Sequence, residues 1–338
     1  MPDRPSPRVA WIMRKPRSLG NFSIETSYRT MGDAWPSDSP RPEIHTASRF
    51  TSGILDRLAI WNEVRQLDHP VLHITGDIHF AAIGLHHRPV VLTIHDLGML
   101  EEGSALKRRL KRWFWLTLPL RSCDRLIAVS ETTRQDILRR TDYPEDQILV
   151  IPSVISPTFR KRATDPSHPA PRVLHIGLAD NKNLERHAEA LAGLKVHLRI
   201  IGEPSTNQVA MLEGHGIEFS TASKLSEEEL QEEYAAADVL LFCSTLEGYG
   251  MPIIEAQTIG VPVVTSDRSP MRETAGDGAV LANPDDAPSI REAVLRVLKE
   301  DGFKAGLVAK GHINAAACSA EQSAQLHAEL YRALMSED

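Results

Sequence analysis

Two glutamates with seven intervening residues, Glu247 and Glu255, bracket the turn Gly248-Tyr249-Gly250-Met251-Pro252. Gly248 and Gly250 let the backbone turn tightly and approach a ligand closely, and Pro252 suits the first turn of a helix. The peptide N–H groups of Tyr249, Gly250 and Met251 would then sit at a helix start, where the helix dipole gives them positive potential. Such a turn can hold a diphosphate without a metal ion. Glu247 precedes the turn, and Glu255 falls about one helical turn beyond it, within reach of a ribose diol. A solvated strand–helix turn accounts for one such glutamate; the pair, spaced around this turn and ahead of a second apolar strand, points to a nucleotide ligand.

The elements that must position these residues read as an α/β protein. Short apolar, β-branched runs alternate with longer amphipathic stretches, the pattern of parallel sheets covered by helices. Strands are expected at 8–13, 71–75, 89–95 and 125–129, then at 172–176, 196–201, 217–219, 238–242 and 261–265. Ser226 followed by Glu229 is a capping box that opens a helix toward Ala237. The segment Pro152–Pro171 holds five prolines and the basic triplet Arg160-Lys161-Arg162, the composition of a linker. The expected architecture is an N-terminal domain over residues 1–151, a linker over 152–170 and a C-terminal domain over 171–315. A last helix, over 316–338, would pack back toward the N-terminal domain. Both domains would be doubly wound and Rossmann-like, facing across a cleft with ligands at the carboxyl ends of the strands.

Composition narrows the function. A chain of 338 residues exceeds what one core usually organises, in keeping with two domains. With 45 acidic against 38 basic residues the net charge is −7, which excludes a generally basic, nucleic-acid-coating protein. Residues 1–150 carry 21 basic and 18 acidic side chains, whereas residues 151–338 carry 17 and 27. Cys123, Cys243 and Cys318 are far apart and odd in number, so a reducing cytoplasm is the simplest setting. The N-terminus lacks the apolar stretch of a signal peptide, and no run reaches the roughly 20 apolar residues of a spanning helix. There is no G-x-G-x-x-G, no phosphate-binding G-x-x-x-x-G-K-[ST], no G-x-S-x-G elbow, no Asp-x-Asp and no H-E-x-x-H. Phosphate chemistry here must use backbone amides and basic side chains, with no metal and no cofactor.

The pattern Glu247-x7-Glu255, followed by Gly260-Val261-Pro262 and Val263–Ser266, resembles glycosyltransferase family 4, the retaining group-1 nucleotide-sugar transferases of the GT-B fold. The likeness extends upstream to His175-Ile176-Gly177-x4-Lys182-Asn183-Leu184 and downstream to Ser269–Ala279 with Asn283-Pro284-Asp285. By this resemblance Lys182, with Asn183, binds the donor diphosphate and Glu255 the ribose. The amides of Gly248 to Met251 meet the phosphates and sugar, and Glu247 sits at the sugar ring. The loop Ser223-Lys224-Leu225 corresponds to the segment that reads the base. In the N-terminal half Thr93-Ile94-His95-Asp96 resembles the family's strand–turn, so His95 joins Glu247 as a catalytic candidate, with Asp96 beside it. Gly20 and Asn21 fall where relatives place a glycine loop near the phosphates. One departure stands out. Many relatives carry an arginine between the glycine and the lysine, but here Leu178-Ala179-Asp180-Asn181 fills that stretch. Arg14, Lys15 or Arg17, just past the first strand, could supply the second cation or contact the acceptor.

The densest basic run, Lys107 to Arg112, followed by Trp113 and Trp115, places Lys107, Arg108, Lys111 and Arg112 on one helical face and Leu106, Leu110 and Phe114 on another. A solvated face and an anionic membrane surface are both open readings. The implied activity is retaining transfer of a hexosyl group from GDP-mannose or a UDP-hexose to a sugar or lipid-linked acceptor, in polysaccharide or glycolipid synthesis. It would take place in the cytoplasm or on the inner membrane leaflet. A nucleotide-sugar epimerase on the same fold and a non-catalytic nucleotide-sugar-binding scaffold are the alternatives.

Overall fold

The longest apolar runs become the inner strands of two parallel sheets. The computed structural model describes residues 8–16, 23–100, 103–162 and 169–336. In the first sheet the strands are β1 (Val9–Met13), β2 (Glu43–Thr46), β3 (Val71–Ile74), β4 (Val90–Ile94), β5 (Arg125–Ala128) and β6 (Ile148–Val150), in the spatial order β2-β1-β3-β4-β5-β6. The second holds β7 (Arg172–Ile176), β8 (His197–Ile201), β9 (Phe219–Ala222), β10 (Val239–Phe242), β11 (Val263–Ser266) and β12 (Ala279–Ala282), in the order β12-β11-β10-β7-β8-β9. Every strand pair is parallel.

Alternation along each strand explains the layers. In β1, Ala10 and Ile12 enter one apolar cluster while Val9, Trp11 and Met13 enter another on the opposite face. In β10, Val239 and Leu241 go one way and Leu240 and Phe242 the other. Successive side chains of a strand point to opposite faces, so a strand apolar at every position requires helices on both sides. Each fully buried Leu, Ile or Phe contributes on the order of 1.5–3 kcal/mol.

The contacts divide the chain into two units: the segment up to Val154 together with Ser319 onward, and Ile155–Cys318. Part of the proline-rich stretch read as a linker is packed. Phe159 is buried in the second unit's core, Gln231 Nε2 donates to Thr158 Oγ1 at 2.9 Å, and the Arg162 amide donates to the Ile259 carbonyl. The capping box at Ser226 forms, with both reciprocal hydrogen bonds, and opens the helix Glu227–Ala235.

The basic run forms the helix Ala105–Arg112, which passes into a wider π turn at Trp113–Thr117. Its expected apolar face does not pack as a whole. Phe114 rests on the core, but Leu106 is 67% and Leu110 57% exposed, and no residue of Ala105–Arg112 is buried.

The helix Ala320–Ser336 packs on the helix Ser23–Asp33 and on β3 in the first unit, and a buried polar chain fixes it there. Trp11 Nε1 donates to Tyr331 Oη at 2.7 Å, and Tyr331 lies 2.5 Å from His73 Nδ1. His73 Nε2 reaches Thr93 Oγ1 at 2.8 Å, and Thr93 meets Tyr28 Oη at 2.7 Å. His327 stacks on His73 at 5.6 Å and donates from Nδ1 to the Ser323 carbonyl. Burial holds both imidazoles neutral, pulling His327 down to about 4 and His73 well below its usual value, with His327 adding to the effect on His73. The unfolded chain binds protons near 6.5 and the folded chain does not, so stability present above pH 6.5 is lost as pH falls toward 4. Lowering pH from 7 to 5 should cost on the order of 2 kcal/mol per histidine. A His327→Phe variant should lose visibly less melting temperature over that range than the wild type; equal acid sensitivity in the two proteins would contradict this account.

Candidate functional site

In the second sheet the strand order reverses between β7 and β10, and the loops leaving their carboxyl ends carry the predicted residues. A parallel sheet opens a crevice at such a point because consecutive connections depart to opposite sides. After β7, Gly177 takes φ +86°, and a Cβ there would come within 3.1 Å of the Lys182 side chain, so the lysine stem lies directly over the glycine. A short turn, Asp180–Lys182, leads to Asn183 in the left-handed region at φ 62°, which starts the helix Leu184–Leu191.

The two loops are stitched together. Asn183 Nδ2 donates to the carbonyls of Cys243 (3.0 Å) and Pro284 (2.7 Å). Asn181 Nδ2 donates to the Leu246 carbonyl at 2.8 Å, and the Thr245 amide donates to the Asn181 carbonyl at 2.8 Å. Lys182 Nζ thereby lies 2.6 Å from Glu247 Oε1 and 4.7 Å from the centre of the Phe242 ring, with the two charged side chains 20% and 13% exposed. An ammonium with three donors and one carboxylate partner, held against an aromatic face and mostly out of water, is poised to take a second anion.

The turn after β10 takes the form its glycines suggest. Gly250 is buried, with φ +98°, and caps the helix Met251–Ile259, whose second residue is Pro252. Among the described residues, the amides of Tyr249, Gly250 and Met251 have no hydrogen-bond acceptor. The Tyr249 carbonyl is held by Thr274 Oγ1 at 2.6 Å, and its hydroxyl meets Cys318 Sγ at 3.3 Å. One turn into the helix, Glu255 Oε2 accepts from Tyr234 Oη at 2.6 Å. Burial pushes the Glu255 carboxyl up to about 7; Tyr234's hydrogen bond pulls the other way, Glu227 adds to the rise and Lys182 opposes it. Beneath the crevice, His175 and His187 meet through their Nδ1 atoms at 2.9 Å, and burial keeps both neutral, so they add no charge.

Leu225 lies half-buried in the turn between β9 and the helix Glu227–Ala235, whose Tyr234 holds Glu255. The remaining described candidates lie in the first unit. His95, at the end of β4, donates from Nε2 to the Thr75 carbonyl at 2.9 Å, and Asp96 caps its own turn by accepting from the Gly98 amide. Arg14 is committed locally: Nε to Glu25 at 2.9 Å and Nη1 to Asp77 at 2.5 Å. Lys15 lies over the Phe50 ring. Arg17, Gly20 and Asn21 fall outside the described residues.

Sequence reasoning missed Tyr234 and Asn181. Tyr234 and Gln231 form the buried stripe of an otherwise acidic helix, and that i, i+3 spacing was its signal. Asn181 carried none, because its role exists only through the opposite loop. Among the described residues no group of three or more histidine, cysteine, aspartate or glutamate side chains is arranged to hold a metal ion.

Comparison with known proteins identifies the family and the fold. Residues 160–312 match the family described as glycosyl transferases group 1, and residues 20–159 match glycosyltransferase family 4. O-antigen chain mannosyltransferase B of Escherichia coli is 26% identical over 250 residues, covering 65% of this chain and 64% of that protein. An MMP alpha-(1→4)-mannosyltransferase of Mycolicibacterium hassiacum is 26% identical over 296 residues, covering 78% and 68%. The chain thus spans a little under two thirds of the length of the first of these relatives. Among solved structures, a sucrose-phosphate synthase from Thermosynechococcus elongatus superposes with a TM-score of 0.78 over 98% of this chain and 99% of that one, at 19% identity. The fold is therefore GT-B, two Rossmann-like parallel-sheet domains, and the chain belongs to the group-1 glycosyltransferases of family 4.

Proposed function

We propose that this protein transfers a hexosyl group, mannosyl by the character of its relatives, from a nucleoside diphosphate sugar to an acceptor hydroxyl, with retention and without a metal ion. The observation that carries this reading is the Lys182–Glu247 pair beside the acceptor-less amides of Tyr249, Gly250 and Met251. As the bond from the anomeric carbon to the diphosphate oxygen breaks, negative charge grows on the leaving group. Lys182 and the helix-start amides are fixed dipoles and charge aimed at that group, the largest single source of rate in such sites. Taking up the diphosphate draws Lys182 away from Glu247 and leaves that carboxylate to hold sugar hydroxyls. Glu255 accepts from the ribose diol. The acceptor oxygen bonds to the anomeric carbon on the face the diphosphate leaves, and its proton passes to a leaving phosphate oxygen.

Glu247→Ala should lower kcat by about 10²-fold or more, whereas Glu255→Ala should chiefly raise donor KM, by about tenfold or more. Because the carboxylate is the form that accepts from both ribose hydroxyls, donor KM should rise as pH falls through about 7, where Glu255 titrates. Glu255→Gln should flatten that dependence. Assays with GDP-mannose and UDP-glucose, with and without acceptor glycosides, read all three. Turnover of Glu247→Ala at the wild-type rate, or donor conversion that needs no acceptor, would overturn the assignment, the second in favour of an epimerase.

We further propose that the protein works in the cytoplasm, on an anionic membrane surface. Leu106, Leu110 and Trp113 recur at i, i+4 and i+7 and are 67%, 57% and 52% exposed, with Lys107, Arg108 and Arg112 exposed beside them. Arg57 stacks on Trp115 at 5.3 Å, and on its helix Ile54, Leu55 and Leu58 are also open to solvent. Apolar side chains ringed by cations suit a lipid headgroup interface, and no helix among the described residues is long and apolar enough to cross a membrane. The protein should co-sediment at low salt with vesicles containing phosphatidylglycerol and not with phosphatidylcholine alone. Replacing Leu110 and Trp113 by serine should abolish binding, and binding unaffected by that change would refute the surface.

A further inference from the structure

We propose that Thr274 is a positioning residue of the donor site: its hydroxyl, through the Tyr249 carbonyl, keeps the Gly250 N–H turned toward the phosphates of the ligand. The proposal rests on the transferase reading above. Tyr249 and Gly250 share a trans peptide, and in such a planar unit the carbonyl and the N–H point in opposite directions. Thr274 Oγ1 donates to that carbonyl at 2.6 Å. A donor on the carbonyl side fixes where the N–H points, which is away from the helix Met271–Ala275 that carries Thr274. Gly250 is buried, yet its N–H has no acceptor among the described residues. Leaving a buried amide unpaired costs stability, a cost that a bound phosphate oxygen removes.

The glycine makes a restraint necessary. With no Cβ, Gly250 accepts either orientation of the 249–250 peptide, so without an anchor the plane could flip and turn the N–H away. Thr274 can act as the anchor because it is itself held. Its carbonyl accepts from Asn314 Nδ2 at 2.7 Å, and the same nitrogen donates to Gln257 Oε1 at 2.8 Å. Gln257 Nε2 donates to the Ala275 carbonyl at 2.9 Å. Gln257 is 2% and Thr274 5% exposed. The helix Asp301–Ala316, which brings Asn314, approaches most closely at Gly278, where a Cβ would fall 2.5 Å from both Gln257 Nε2 and the Gly311 Cα. The chain of bonds closes on itself, because Gln257 lies on the helix that Gly250 caps. An N–H already aimed at the leaving group needs no reorganisation when the bond to the diphosphate breaks.

Calorimetric titration of GDP, UDP, ADP and TDP, each beside its nucleoside, into the wild type, Thr274→Val and Thr274→Ser tests this. The diphosphate that the wild type binds should lose about threefold to tenfold in affinity in Thr274→Val, the scale of one neutral hydrogen bond. Its nucleoside should bind both proteins equally, which also shows that the valine variant is folded. Thr274→Ser, which keeps the hydroxyl, should restore the diphosphate affinity. Thr274→Ala, smaller and also without the hydroxyl, should behave as the valine variant does and replaces it if valine disturbs folding. Equal diphosphate affinity with and without the hydroxyl, the same loss for nucleoside and diphosphate, or no recovery with serine would each overturn the role of Thr274 and leave the donor site standing. A wild type that binds every diphosphate no more tightly than its nucleoside would overturn the donor site itself, and this role with it.

Discussion

The candidate site depends on one side chain, Asn183. Its amide joins the carbonyls of Cys243 and Pro284, tying the loop after β7 to the loop after β10 and to the segment after β12. The residue sits in the left-handed region, which costs a non-glycine residue roughly 1–2 kcal/mol. Two hydrogen bonds at about 1 kcal/mol each offset that cost. The resemblance assigned Asn183 to the donor, and the geometry gives it a positioning role as well. With Asn183 fixed, the preceding Lys182 lies over Gly177 and reaches Glu247. An asparagine is suited to the position because it tolerates the left-handed conformation and supplies two N–H groups.

Charge is deployed locally. Residues 151–338, which hold the proposed diphosphate site, carry ten more acidic than basic side chains (27 against 17), so no long-range attraction draws an anion there. A single lysine and a helix start must act at short range. The same shielding from water that sharpens those interactions raises Glu255 toward neutrality and keeps His175 and His187 uncharged. Charged groups held half-buried in this way lower stability, a common property of sites shaped for a ligand rather than for folding.

The inner strands were legible in the sequence because both of their faces are buried, so apolar residues run without interruption, as in Val9–Met13 and Val239–Phe242. The strands that escaped are β2, β6 and β12, all at sheet edges. β2 reads Glu-Ile-His-Thr and is nowhere buried, so its pattern matches a loop. β9, another edge, was expected at 217–219 and forms at Phe219–Ala222. Within the site, the helix-start turn was legible because glycine, proline and the paired glutamates act through local backbone geometry. The Lys182–Glu247 pairing was not, since it joins residues 65 positions apart through hydrogen bonds that only the folded sheet brings together. Arg14 shows the opposite case: its residue type suggested a phosphate, and its neighbours, buried Glu25 and half-exposed Asp77, had already claimed the charge.

The central claim is that Lys182, paired with Glu247 in the free protein, is the cation that receives the diphosphate. Calorimetric titration of GDP and UDP, each beside its nucleoside, into the wild type and Lys182→Gln tests it most directly. The diphosphate that binds should lose about tenfold or more in affinity on substitution, the scale of one charge-assisted hydrogen bond, while its nucleoside changes little. Equal diphosphate affinity in the two proteins, or the same loss for nucleoside and diphosphate, would contradict it.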